Sequence, residues 1–193
     1  TTQNPAHFYP QSCVGANVTL TASRLCGASN SVSKQIVISP NTLTAQTTGG
    51  NGLSSTTSIG MVFDAQITNP QGVAICAVSM RPYTFTGPFN LSVYVSEGSY
   101  LDLVGGVARH TVASAWRLIG TGTGVSTGGT STTSVSTLVP LTATAYLPTG
   151  NYCFALMISN PAGTANLAYT TGSATTYGPF AGREDDVDRK SVV

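Results

Sequence analysis

The residues of this chain that could do chemistry are few, and their spacing argues against most of the chemistry they suggest. Gly124-Val125-Ser126-Thr127-Gly128 matches the G-x-S-x-G nucleophile pattern. That motif works on a strained strand-to-helix elbow, with an acid and then a histidine downstream. Here Thr and Gly surround it, no helical pattern follows, and His7 and His110 both precede it. Outside the C-terminal tail the only acids are Asp64, Glu97 and Asp102. Glu97 and Asp102 flank the turn Glu97-Gly98-Ser99-Tyr100, where a solvated loop acid is the ordinary reading, whereas glycosidic cleavage needs a carboxyl pair set across a sugar. Glu184, Asp185 and Asp186 read as a solvated charge run. The chain is therefore read as non-enzymatic, with no catalytic residue, no metal ligand and no cofactor.

Four cysteines, Cys13, Cys26, Cys76 and Cys153, occur without any Cys-x-x-Cys and away from both histidines. This disfavours zinc and favours disulfides made in an oxidising compartment. Three pairings exist on paper. Cys76 and Cys153 lie in the two most apolar segments, which makes a bond between them the first expectation. Cys13 and Cys26 flank a segment that, fully extended, spans nearly 30 Å at ~3.3 Å per residue. Unless the chain folds back they cannot meet, so at least one is expected to bond elsewhere. Asn17-Val18-Thr19 and Asn90-Leu91-Ser92 make Asn17 and Asn90 candidate N-glycosylation sites. Tyr94, Tyr100, Trp116 and Tyr169 are candidates for a sugar platform, although aromatics in strand patterns usually belong to the core.

What must position these residues follows from composition. In 193 residues, 21 Ser, 29 Thr, 21 Gly and 10 Pro leave little room for long helices. A hydrophobic content of 41% still supplies a core and argues against disorder. Lys and Arg number eight, Asp and Glu seven. Seven of these charges fall within 183–190, so residues 1–182 carry only Arg24, Lys34, Asp64, Arg81, Glu97, Asp102, Arg109 and Arg117. A surface coated with hydroxyls instead of charges fits a secreted protein, or a subunit covered by copies of itself. A net charge of +1 with no basic stripe argues against nucleic acid. The longest apolar runs, Val73–Val78 and Cys153–Ile158, have six residues, far short of the ~18 of a membrane span. The chain opens on Thr1, which processing after export would explain.

Period-two alternation dominates the chain. Val14, Ala16, Val18, Leu20 and Ala22 form its cleanest half-buried strand pattern. Further strands are predicted at Lys34–Ser39, Thr42–Thr47, Ile59–Asp64, Val73–Met80, Phe89–Ser96, Trp116–Thr121, Thr133–Val139, Asn151–Ser159 and Asn166–Thr170. Turn signals such as Asn69-Pro70-Gln71-Gly72 and Asn160-Pro161-Ala162-Gly163 separate them. The only helical signal is a turn near Val112–Trp116. Gly120–Ser136 and Thr44–Ser58 read as low complexity, the former as a long loop or weak edge strand. The fold class is all-β: a jelly-roll-like antiparallel β-sandwich with an N-terminal strand extension. Its parts are expected at 1–49 (extension), 50–182 (sandwich) and 183–193 (charged tail).

From Gly60-Met61-Val62-Phe63-Asp64 onward the chain carries a recognisable order of segments. Val93-Tyr94-Val95-Ser96-Glu97-Gly98-Ser99-Tyr100 precedes Ala115-Trp116-Arg117-Leu118-Ile119-Gly120-Thr121. Leu147-Pro148-Thr149-Gly150-Asn151-Tyr152-Cys153 and Leu167-Ala168-Tyr169-Thr170-Thr171-Gly172 follow. This order resembles a β-sandwich module of exported bacterial surface proteins, including PEP-CTERM-sorted ones. The resemblance spans about residues 50–182 and implies an exported, noncatalytic role at the cell surface. It carries over no active-site residues.

The N-terminal strand lies outside that resemblance. A detached strand beside an open sandwich resembles the extensions of pilin-like filament subunits, which complete the sheet of the next subunit. Such a contact does not close and builds a filament. The sequence-level expectation is thus a subunit of an extracellular bacterial filament, assembling head to tail by exchange of Val14–Ala22. Its partner is itself, with glycans as a second class of partner. The alternatives are a viral capsid-decoration or tail-fibre protein, and a monomeric carbohydrate-binding surface module.

Overall fold

Alternating apolar and polar side chains build nearly every element of the computed structural model, which describes residues 16–22, 30–36, 44–45, 51–55, 58–169, 180–181 and 187–190. The chain divides into two units, Thr1–Asn41 and Thr42–Val193. In the first, β1 (Ala16–Ala22) pairs antiparallel with β2 (Asn30–Ile36) over its full length, Leu20 opposite Val32. Thr19 Oγ1 and Ser33 Oγ meet across this hairpin at 2.7 Å. Val32, on β2, is 72% exposed.

The second unit contains β3 (Thr44–Ala45), β4 (Asn51–Ser55), β5 (Ser58–Ile67), β6 (Val73–Met80), β7 (Thr86–Glu97), β8 (Leu103–Val104), β9 (Val107–Ala108), β10 (Arg117–Thr127), β11 (Thr137–Leu147), β12 (Gly150–Ser159), β13 (Ala165–Tyr169), β14 (Phe180–Ala181) and β15 (Val187–Lys190). Five strands form one antiparallel sheet in the order β10-β7-β12-β5-β15. Against it lie the pairs β11-β6 and β13-β4. These pairs join where Pro82 bridges Leu167, with Ala168 N donating to Arg81 O (2.9 Å) and Tyr83 N to Asn166 O (3.2 Å). The facing layer therefore runs β11-β6-β13-β4. From β4 to β13 the main strands cross from layer to layer at each connection, except that β7 and β10 share the five-stranded sheet. This is an all-β antiparallel sandwich.

The period of two decides which side chains meet between the layers. On β12, Tyr152, Phe154, Leu156 and Ile158 point inward, with Phe89, Leu91, Val93 and Val95 beside them on β7. Met80, Val139, Leu147 and Leu167 come from the facing layer. Each large side chain fully buried here contributes ~1.5–3 kcal/mol. Phe63 and Phe154 stack with centroids 5.4 Å apart.

Glycine shapes one margin. Gly122 and Gly124 on β10 are buried. A Cβ on Gly122 would collide with Pro140 O, and one on Gly124 would stand 2.5 Å from Phe89 Cζ. Their absence lets β11 pass close beside β10, where Thr137 Oγ1 donates to Val125 O (3.1 Å) and the Thr121 and Thr142 hydroxyls meet at 3.2 Å. Of the Gly- and Thr-rich stretch expected as a long loop or weak edge strand, residues 120–127 thus belong to β10, the edge strand of the five-stranded sheet, and a turn follows.

Several expected boundaries change. Val187–Lys190, expected in a solvated tail, pairs with β5 at the edge of the main sheet. Thr44–Ala45, placed in the extension, pairs with Phe180–Ala181 in the second unit. The helical signal near 112–116 becomes two three-residue 3-10 turns, Arg109–Thr111 and Ala113–Ala115. The strand expected to be donated to a neighbour is already laddered to its own chain, because a short link returns a second alternating segment antiparallel beside it. Val14 lies outside the described residues, as do Cys13 and Cys26. No helix among the described residues is long and apolar enough to cross a membrane.

Candidate functional site

The long connection between β7 and β10, residues 98–116, gathers the polar groups of the sandwich. Asp102 and Arg109 lie in this connection, Glu97 and Arg117 at the strand ends it joins, and Asp64 within β5; together they are five of the eight charges in residues 1–182. Asp64 is held on β5, opposite Cys153 of β12, which in turn lies opposite Ser96 of β7. Inward alternation of Tyr152 and Phe154 turns the side chains of Cys153, Asp64 and Ser96 to the outer face of the sheet. There the 98–116 connection folds over them.

Its base is a clasp. Ser99 Oγ donates to Asp64 Oδ2 (2.6 Å) and Tyr100 N to Asp64 Oδ1 (2.9 Å). Ser99 N donates to Asp102 Oδ2 (2.8 Å) while Asp102 N donates to the Ser99 backbone O (3.1 Å), so the turn between them is closed by a side-chain and a backbone bond. Arg109 N then donates to Asp102 O (2.9 Å). The Arg109 guanidinium spans from Ser96 Oγ (2.6 Å) to Asp102 Oδ2 (3.5 Å). Its Nε is buried without a hydrogen-bond partner. Trp116 Nε1 closes the far side by donating to Arg109 O (3.2 Å). Above this base β8 and β9 form a two-residue hairpin through Gly105 and Gly106, at φ +60° and +82°. Both glycines are needed there, since such a turn requires positive φ at each central position.

A groove of about 380 Å³ opens beside the clasp, between Asp64, Gln66, Gly98, Ser99, Asp102 and Asn151. Both Asp64 oxygens already accept hydrogen bonds within the chain. The Cys153 thiol is fully buried and donates to Ser96 O at 3.6 Å. Burial pushes its pKa up, against the lowering effect of the Arg109 charge, and Asp64 raises it further. A thiol held protonated in this way is a poor nucleophile. Among the described residues, no group of three or more His, Cys, Asp or Glu side chains is placed to hold a metal ion.

The sequence candidates are dispersed around this cluster. Cys153 is a free thiol and Cys76 is disulfide-bonded, so the expected bond between them is not made. They lie in opposite layers, and Cys153 faces away from the layer that holds β6. Ser126 of the G-x-S-x-G match is buried at the end of β10; its Oγ donates to Phe85 O (2.7 Å) and accepts from Gly128 N (3.2 Å). Asn90 is exposed on β7, between Thr123 and Ser159. Asn17 lies on β1, its side chain outside the described residues, as are those of Ala16, Val18, Leu20 and Ala22. Tyr94 sits on the outer face opposite Leu118 and Ala155, not in the core. The clasp itself was not foreseen, although the spacing of Ser99 and Asp102 is a readable signal for it.

Comparison of the chain with models of protein families, with curated proteins and with solved structures finds no match.

Proposed function

We propose that the chain is a noncatalytic structural subunit of an extracellular polymer, built on a jelly-roll-type sandwich and assembling with copies of itself. The supporting observation is where its exposed apolar side chains lie. Leu101, Leu103, Val107, Val125, Val135 and Leu138 are each more than half exposed, on a surface with very few charges to keep copies apart. Leu101, Leu103 and Val107 fall within one short stretch around the β8–β9 hairpin, and exposed apolar side chains held together mark interaction surfaces. Because β1 is laddered to β2 of its own chain, contact between folded subunits is favoured here over exchange of that strand. The disulfide at Cys76 supports an oxidising compartment.

A virion structural subunit is the second reading. The order β5-β12-β7-β10 in one layer and β4-β13-β6-β11 in the other favours it, since eight-stranded jelly rolls are common among capsid proteins. Negative-stain microscopy of native material decides between them: filaments are expected, virions would move the proposal to the second reading, and dispersed single particles would overturn both.

A further inference from the structure

The polar groups that the clasp does not use lie at the same end of the sheet. Beside the groove of about 380 Å³ is a second recess of about 300 Å³, lined by Ser96, Glu97, Arg109, Ala115 and Arg117. Tyr152 lines both, and the Glu97–Gly98 step runs between them, Gly98 on the first and Glu97 on the second. Four neighbouring strands each place one polar side chain here: Gln66 on β5, Asn151 on β12, Glu97 on β7 and Arg117 on β10. Gln66 and Asn151 are direct cross-strand partners. All four are exposed, and their side chains make no hydrogen bond or ion pair with a described residue. Asp64, Ser99, Asp102 and Arg109, by contrast, are bonded to one another and to the backbone, so the walls are set before anything enters. Four strands cover three spacings, about 14 Å at ~4.8 Å each, room for a short chain of small polar units.

Charge and hydrogen-bond type decide what fits. β15 sets Asp188, Arg189 and Lys190 beside Gln66, Ala65 and Asp64. Four acids (Asp64, Glu97, Asp102 and Asp188) therefore stand against four bases (Arg109, Arg117, Arg189 and Lys190), a net of zero. That balance favours neither a phosphate nor a metal cation. The free side chains are an acceptor (Glu97), a donor (Arg117) and two amides that do both. A hydroxyl group also donates and accepts, so a ligand carrying several hydroxyls and no charge matches this set. We propose that the two recesses form one binding site for a short neutral saccharide. Gln66 and Asn151 hold hydroxyls in the first recess, and Glu97 and Arg117 hold hydroxyls in the second. The site goes beyond the polymer reading and holds for a polymer subunit and a monomer alike.

The test uses the full chain, read by titration calorimetry and by the fluorescence of Trp116. This only tryptophan stands in sequence between Ala115 and Arg117, both on the second recess. The probes are trisaccharides of glucose, of N-acetylglucosamine and of galactose. At least one should bind with a Kd of about 1 mM or tighter. Gln66→Ala/Asn151→Ala and Arg117→Ala should each weaken that binding about tenfold or more. All three positions are exposed, so both variants should fold, which a thermal melt checks. Asn90→Ala, exposed elsewhere on the same sheet, should leave binding unchanged. Failure of every trisaccharide to bind up to about 10 mM overturns the site, as does binding that both recess variants leave intact. Binding of heparin oligosaccharide or of calcium in place of the neutral sugars also overturns it, and makes the recesses an anion or a cation site. Assembly is read separately by microscopy, so none of these results decides the polymer reading.

Discussion

The two ends of β10 solve the same problem by different means. At the Arg117 end a long connection is tied down by charge and hydrogen bonds: Asp64, Asp102 and Arg109 hold backbone and hydroxyl groups at named distances. Toward the Thr127 end order comes from the absence of side chains. Gly122 and Gly124 let β11 close on β10, and the turn beyond is held by neutral groups and by Arg81, which donates to Ser134 O (2.8 Å) and Thr132 O (2.8 Å). The lesson concerns sensitivity. A steric fit has no slack, whereas a polar clasp on a half-open surface spreads its load over several weak contacts.

The glycine margin should therefore be the easier to break. Gly122→Val would drive its side chain into Pro140 O and to within 2.7 Å of Val139 Cγ1, and relief requires parting two strands. A loss of about 3 kcal/mol or more is expected, read from the urea midpoint at constant slope. A loss under about 1 kcal/mol would mean that the margin yields, and the contrast between the ends would fall.

The same contrast explains what could be read from the chain. Val73–Met80 and Asn151–Ser159 were legible because their apolar side chains are dense; the structure gives β6 the same bounds and lengthens β12 by one residue. β10 was cut short at Thr121 because Gly and Thr alternate beyond it, and glycine at inward positions carries no hydropathy signal. β11 was misplaced because Pro140 interrupts its pattern and the register shifts between Pro140 and Ala145. The clasp escaped because its members are far apart in sequence: Asp64 meets Ser99 across 35 positions. Nor could alternation alone say that Cys153 faces outward, since both faces of a central strand are buried.

At the clasp, Arg109→Met keeps the side-chain stem and removes the bonds to Ser96 and Asp102. Arg109 is only 17% exposed, so a cost of about 1–2 kcal/mol in thermal or urea unfolding is expected. No change would mean that packing of the connection, not its polar bonds, holds it. The Cys153 thiol gives a pH signature of smaller size. Burial raises its folded pKa, so above the ordinary thiol range the unfolded chain releases a proton that the folded chain retains. Stability should be unaffected by this group below about pH 8.5 and fall as pH rises through the raised value. Cys153→Ala should flatten that alkaline slope, and the native thiol should resist alkylation until the chain unfolds. A native thiol that reacts at neutral pH would place solvent beneath the clasp.

The smallest effect is expected where the clasp meets water. Asp102 is 51% exposed and stands 3.5 Å from Arg109, a distance and setting in which an ion pair contributes little. Asp102→Asn removes the charge but keeps an oxygen to accept from Ser99 N, the shorter contact at 2.8 Å. The expected cost is under about 0.5 kcal/mol, shrinking further in salt as the Debye length contracts. Asp102→Ala also removes the acceptor and should cost about 1 kcal/mol. The difference between the two variants isolates the hydrogen bond from the charge. If Asn costs as much as Ala, and salt abolishes the loss, the charge holds this end; the clasp would then be electrostatic at its rim and would loosen with ionic strength, as the glycine margin cannot.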